Sequence, residues 1–407
     1  MIIRSDPTPA SEKSLTDFEI EGLYAPLSLA DGHAYQDMPF AFRHVVRELE
    51  VLWVKAETVS VPLAEDRLRN ASARLSSSAA MSEVACFKIC PTASNATDVV
   101  AAVLADKSAA TRMIEPTFDN LALIMKRRRV QLAALPEDQL MVAAEEGSLD
   151  VLLGDKSHAA LFLVQPNNPT GRQLNERAFR IIANLCAERG TILVLDNTFR
   201  LYNRSLFDDY AILDETGVSF MAIEDTGKVW PTQDLKASIL SCSSDLARLV
   251  CEIYNEMYLC HSRFALTLLE RYVTITADLG LEATIWRHVD RHRALLRQAL
   301  AGTALVIDPR SVDSEISVEW LDCRQTGMND LQLTAFYAER GLGILPGRHF
   351  FWASGSQRCH QYNVRLALMK PRRMFEASLS LIRRSADIDV SSVAGGGGFD
   401  AACDTHR

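Results

Sequence analysis

The sequence predicts an α/β protein, a large unit with a mostly parallel central sheet flanked by helices, followed by a smaller C-terminal α+β unit. Three observations carry this. Short apolar runs alternate with loops and helix-period segments through the middle of the chain, which is how strands covered by helices on both faces read. The polar residues of those runs gather at their carboxyl ends, where open α/β sheets hold ligands. Past about residue 290 the order of helix and strand segments changes.

Taken in order, PTASNATDVVAAVLADK reads as a polar turn feeding a helix, whose first-turn N–H groups lack intrahelical partners and suit an anion such as phosphate. ALFLVQ then precedes the loop PNNPTG, TILVLD precedes NTFR, and FMAIED precedes TGKVWP, with ASILSCS as a fourth apolar run. Between the first two lies the helix NERAFRIIANLCAERG, stopped by Gly190. The C-terminal unit contains NDLQLTAFYAERGLGILPG, the strand NVRLALM and the helix RRMFEASLSLIRR. The tail SSVAGGGGFDAACDTHR has a glycine run and few packing residues, so disorder is expected there.

Composition excludes several classes. At 407 residues the chain is long enough for two or three packed units, and 48% hydrophobic with 23% charged residues is ordinary for a globular protein. A net charge of -9 without a clustered basic face argues against nucleic acid as a partner; the run Arg127, Arg128, Arg129 reads as a solvated helix end. Nine cysteines, an odd number in a long chain, read as reduced thiols. Cys86 and Cys90 in CFKIC have no second pair at metal-ligand spacing, so they read as small buried residues, and no metal is expected. No apolar stretch reaches the roughly 20 residues of a membrane span and no signal peptide is seen, so the expected location is the cytoplasm.

Four features in order, PNNPTG, DNTFR, TGKVWPTQDLK and NVRLALM, resemble the pyridoxal 5'-phosphate (PLP) sequence of the aminotransferase-like, fold type I superfamily. The chemistry calls for these residue types. PLP is an electron sink that needs a lysine to form a Schiff base with its aldehyde and a carboxylate to keep its pyridine nitrogen protonated. The resemblance implies that Lys228 is that lysine and the general base, and Asp196 that carboxylate. Asn168 would bond the cofactor's phenolic oxygen and Phe118 would stack on its ring, although for Phe118 alone core packing is the simpler account. Ala93, Ser94 and Asn95 match the phosphate-cradling turn, and Thr226 and Lys236 the flanking phosphate contacts, with lysine in place of the usual arginine and so without its two-pronged donor. Arg365 matches the arginine that grips the substrate carboxylate.

Departures narrow the resemblance. Phe199 stands where Asp-x-x-Tyr has its tyrosine, and WPTQ replaces the Gly-x-x-Gly after the lysine. With the N-terminal LTDFEIEGLYAPLSLADGHAYQ, these features are similar to the O2-dependent L-arginine oxidases and hydroxylases of natural-product biosynthesis, the enduracididine-pathway arginine hydroxylase type. That implies PLP-dependent oxidation of L-arginine, with O2 as co-substrate, to a 2-keto acid, possible 4-hydroxylation or desaturation being left open, with H2O2 and ammonia released. It also implies that Glu19 and Asp225 hold the guanidinium, that Asn168 contacts the substrate as well as the cofactor, and that Thr16 and His33 close over the substrate and help manage oxygen species and water; alone, Glu19 and His33 read as a solvated helix residue and a loop histidine. The implied assembly is a homodimer, and the implied layout is 1–45 closing over the active site, 46–290 holding PLP, 291–388 as the small domain and 389–407 as a disordered tail. A conventional aminotransferase, or a PLP-dependent cyclase of a hydroxylated arginine, would use the same lysine and arginine. A PLP-sensing transcription regulator would need a basic helix-turn-helix, which the N-terminal part lacks.

Overall fold

The computed structural model describes residues 13–154, 157–353 and 355–386; the tail expected at 389–407 lies outside the described residues. In chain order the strands are β1 (Leu27–Ser28), β2 (Cys86–Cys90), β3 (Thr111–Glu115), β4 (Leu132–Pro136), β5 (Ala160–Val164), β6 (Ile192–Asp196) and β7 (Phe220–Asp225). They continue with β8 (Ser238–Cys242), β9 (Val306–Ile307), β10 (Val318–Asp322), β11 (Leu342–Gly343), β12 (Leu345–Pro346) and β13 (Asn363–Ala367).

Seven strands form the main sheet in the order β2-β8-β7-β6-β5-β3-β4. Every residue of β5 and β6 is buried, as the continuous apolar runs require when helices cover both faces. The helix Glu176–Arg189 joins these two strands; the Asn175 side chain accepts from the Ala178 N–H at its start, and Gly190 ends it at a φ of 65°. The pairs β3–β4, β3–β5, β5–β6 and β6–β7 are parallel. The fourth run, ASILSCS, departs from that pattern, because β8 is antiparallel to both β7 and β2. No helix separates Asp225 from Ser238, and without a crossover element the chain can only return antiparallel.

A four-stranded antiparallel sheet, β12-β13-β10-β9, follows the main sheet in the chain. The N-terminal stretch ties the two sheets together. β1 pairs in parallel with β11, the Ala34 N–H donates to the Gly227 carbonyl at 3.0 Å, and the Tyr35 N–H to Met369 at 2.9 Å. A small apolar cluster of Leu15, Ala30, Trp320, Leu345, Phe350 and Phe351, with Phe18 and Phe118 packed on it, fastens the helix Leu15–Tyr24 to the second sheet. Arg127, Arg128 and Arg129 close the helix Asp119–Arg127 and are exposed, with Arg128 forked onto Asp98. Among the described residues no helix is long and apolar enough to cross a membrane.

Candidate active site

The carboxyl ends of β5, β6 and β7 open into a cleft of about 230 Å³. Lys228, Asp196, Asn168, Phe118, Ala93, Ser94, Lys236, Arg365, Glu19, Asp225, Thr16 and His33 all line it, whereas Asn95 and Thr226 do not.

Strand ends explain the floor. Asp196 closes β6 and Asp225 closes β7, so both carboxylates emerge where the pairing stops. The Asp196 carboxylate is 6% exposed and accepts from the Thr198 N–H at 3.0 Å. Burial pushes its pKa up, hydrogen bonding from Thr198 and the charge of Lys228 pull against that, and Asp225 adds to the rise. The PNNPTG loop is fastened by a buried carboxylate, since Glu137 accepts from both Asn167 Nδ2 (2.7 Å) and the Thr170 hydroxyl (2.6 Å) while Asn167 also donates to the Pro116 carbonyl (2.8 Å). Gly171 ends the loop at a φ of 76°, and a Cβ there would lie 2.1 Å from the Ser314 hydroxyl, so only glycine fits. Asn168 is thereby turned into the cleft.

The helix Ala93–Asp106 points its N-terminus at the same space. Thr92 caps it by accepting from the Asn95 N–H at 3.2 Å and donating to Asn95 Oδ1 at 2.7 Å, which holds the half-buried Asn95 away from the cleft and leaves Ala93 and Ser94 on its wall. Thr226 is likewise engaged inside the protein. Its hydroxyl donates to the Ala237 carbonyl and accepts from the Ala237 N–H, both at 2.9 Å, so its one proton is already used in closing the loop between β7 and β8. Lys236 crosses over Gly227, where a Cβ would meet its Cδ at 2.8 Å, and its Nζ lies 2.8 Å from His33 Nε2.

Behind this wall stand two charged residues that sequence reasoning missed. Asp31 accepts from His33 Nδ1 at 2.5 Å. Burial opposes its ionisation, but the His33 hydrogen bond and the positive charges of Lys228 and Lys370 hold its carboxyl below the usual range. Lys370 is 2% exposed, with its Nζ 4.8 Å from the centre of the Tyr35 ring; burial lowers its pKa to about 8, Asp31 opposing and Lys228 and Arg365 reinforcing the drop. Neither lies in a recognisable motif; the only signal for Asp31 is its place two residues before His33.

Arg365, 1% exposed, stands on β13 between β10 and β12. Its Nη2 donates to Glu19 Oε1 at 3.1 Å and to the Ala30 carbonyl at 2.5 Å, and its Nη1 is 3.5 Å from Asn168 Oδ1. The Phe118 ring centre lies 5.9 Å from the guanidinium carbon. Next to Phe118, Asp119 accepts the Leu15 N–H at 2.9 Å and so anchors the helix that carries Thr16 and Glu19. Burial lifts the Asp119 carboxyl to about 6, and the charges of Glu19 and Asp17 add to that rise. The departure at Phe199 is real, as its ring lines the cleft without a hydroxyl and nearby Tyr202 donates instead to the Lys228 carbonyl. Thr117 and Asn120 also line the cleft; the Asn120 amide donates to the Ser94 hydroxyl at 2.9 Å, and the buried Thr117 hydroxyl has no partner among the described residues.

A model of the aminotransferase class I and II family matches residues 59–219. Among solved structures, MppP soaked with the product 2-ketoarginine superposes with a TM-score of 0.81 at 32% identity, covering 88% of this chain and 99% of MppP. Aspartate aminotransferase from Thermus thermophilus with maleate gives a TM-score of 0.72 at 15% identity over 92% of this chain and 96% of that one. YbdL from Escherichia coli, for which a methionine aminotransferase function is described, gives 0.72 at 14% identity over 94% and 100%. Those last two likenesses are of fold alone. No curated protein sequence matches the chain.

Proposed function

The chain belongs to the aminotransferase class I and II family, whose members are PLP-dependent enzymes, and from that premise we propose that it oxidises L-arginine with O2. One observation supports this choice of substrate. The cleft that holds Lys228, Asp196 and Arg365 also holds two carboxylates, Glu19 and Asp225, so that a fork for an anion and acceptors for a cation share one space. MppP, with its product 2-ketoarginine, supports the same substrate class.

The residues present fit PLP. A protonated heterocyclic nitrogen beside Asp196 would offset the burial that raises that carboxyl, the helix start at Ala93 and Ser94 with Lys236 suits a phosphate, and the unpartnered Thr117 hydroxyl awaits a polar group. Bound there, PLP supplies the electron sink for the pair left at the substrate Cα. Lys228 would carry the cofactor and take the Cα proton. Asn168 would donate to the phenolic oxygen, and Phe118 would pack on the ring. Arg365 orients the substrate carboxylate, Glu19 and Asp225 the guanidinium, and Thr16 and His33 cover the site. Asn95 and Thr226 act one layer back, holding the helix start and the loop of Lys228. The overall reaction consumes one amino acid, one O2 and one water, and yields the 2-keto acid, ammonium and H2O2; 4-hydroxylation or desaturation would be further oxidations at the same site.

In this reading residues 46–290 hold PLP, 291–388 form the smaller unit, and 1–45 close over the cleft. The protein is a homodimer, which the exposed Val51, Trp53 and Val54 of the helix Leu49–Thr58 support. The experiment that tests the reaction class is incubation with L-arginine and 2-oxoglutarate under argon. An oxidase makes no glutamate there, and makes 2-ketoarginine once air is admitted; rapid glutamate formation under argon contradicts the proposal and returns the protein to transamination.

A further inference from the structure

We propose that Glu19 is an internal competitor for Arg365, holding the carboxylate-binding fork until a substrate brings both a carboxylate to displace it and a cation to receive it. The inference rests on the arginine reading above and adds a selection step to it.

The argument is one of donor arithmetic. A guanidinium presents two two-pronged faces, Nε with Nη2 and Nη1 with Nη2, so any carboxylate that binds both prongs needs a hydrogen of Nη2. In Arg365 both Nη2 hydrogens are engaged, one by Glu19 Oε1 and one by the Ala30 carbonyl. Of the remaining donors, Nε–H is buried without a partner, and Nη1 makes only a 3.5 Å contact with Asn168. An incoming α-carboxylate that engages the fork with both oxygens must therefore displace one of the two Nη2 partners.

Glu19 is the one that can yield. The Ala30 carbonyl follows Leu29, whose N–H donates to the Gly343 carbonyl (2.8 Å) and whose carbonyl accepts the Ala367 N–H (2.7 Å), so this backbone is pinned to the small sheet. Glu19 instead sits on the outer helix Leu15–Tyr24, and its side chain keeps 14% of its surface exposed. Once displaced, it is a mostly buried carboxylate that has lost its cation, an unfavourable state unless another positive group arrives. The guanidinium of arginine supplies that group. A neutral amino acid offers only the carboxylate half of the exchange, so the Glu19–Arg365 pair discriminates against it before chemistry begins.

The test compares L-arginine with L-norvaline, the same chain without the guanidino group, by calorimetric binding to PLP-loaded protein under argon, wild type against Glu19→Gln. Competition makes norvaline bind the variant about tenfold more tightly, since the ion pair it had to break is gone, while arginine binds no more tightly than to wild type. A contact made only with the guanidinium would leave norvaline unmoved, and a scaffold role would weaken both ligands; either result overturns the proposal. Glu19→Ala serves as a second variant and should move norvaline the same way, with equal thermal midpoints confirming folded protein. Norvaline tightening in variants of a protein that never binds arginine would uphold the competition and overturn the arginine reading alone.

Discussion

Lys236 Nζ lies 2.8 Å from Nε2 of His33. An ammonium has only donors, so Nε2 must be the acceptor and the imidazole proton must reside on Nδ1, where it points at Asp31 Oδ1. His33 thus bridges a cation and an anion, with Nε2 facing Lys236 and Nδ1 facing Asp31.

Histidine-selective 15N spectra should show His33 with a protonated Nδ1 and a bare Nε2. Replacing Lys236 by methionine removes the donor to Nε2 and should give a mixture of tautomers, with turnover falling about ten- to a hundredfold, as for other orienting partners of functional histidines. An unchanged tautomer in Lys236→Met would show that Asp31 alone sets it.

Lys370 provides a pH dependence. Its pKa in the folded protein, about 8, lies below the ordinary 10.5, so between these values the unfolded chain holds a proton that the folded chain has released. Stability from this group therefore rises as pH goes from about 8 to 10.5 and is lowest below 8, a span of about 3 kcal/mol. Denaturant titrations at pH 7, 8, 9 and 10 should show that rise in wild type and a flatter profile in Lys370→Met. Parallel profiles would remove Lys370 as the source.

A third expectation concerns the support beneath β6 and β7. Arg200 donates to Asp209 at 2.5 Å and reaches Glu224 at 3.4 Å, while Asn197 holds Asp209 and Tyr210 holds Glu224. Arg200→Met leaves two buried carboxylates without their cation and should cost about 3–5 kcal/mol by urea denaturation at pH 7, and less as the pH is lowered, since burial raises both carboxyls. A cost under about 1 kcal/mol would mean that the carboxyls are already neutral at pH 7.

Much of the cleft was legible because an α/β sheet delivers the residues at its strand ends to one place. Asp196, Asp225, Asn168 and Lys228 follow from that rule and from the order of the motifs. What was not legible depends on neighbours that a residue's type does not name. Asn95 and Ser94 are adjacent polar residues at one helix start, and only the Thr92 cap decides which of them faces the cleft. The Thr226 hydroxyl stands at the expected spacing from Lys228, yet the return of β8 places Ala237 against it. β8 looked like its parallel neighbours because burial on both faces produces the same apolar run in either direction. Asp31 and Lys370 were missed because each gains its meaning from burial beside the other and beside Lys228.

The central claim, oxidation of arginine by O2 at Lys228, is tested most directly in an oxygen electrode: PLP-loaded protein and L-arginine, with no keto acid present. The expected result is oxygen uptake with H2O2 and ammonium formed, abolished in Lys228→Ala. No uptake, with turnover appearing only after a keto acid is added, would contradict it and leave the same cleft as that of an aminotransferase.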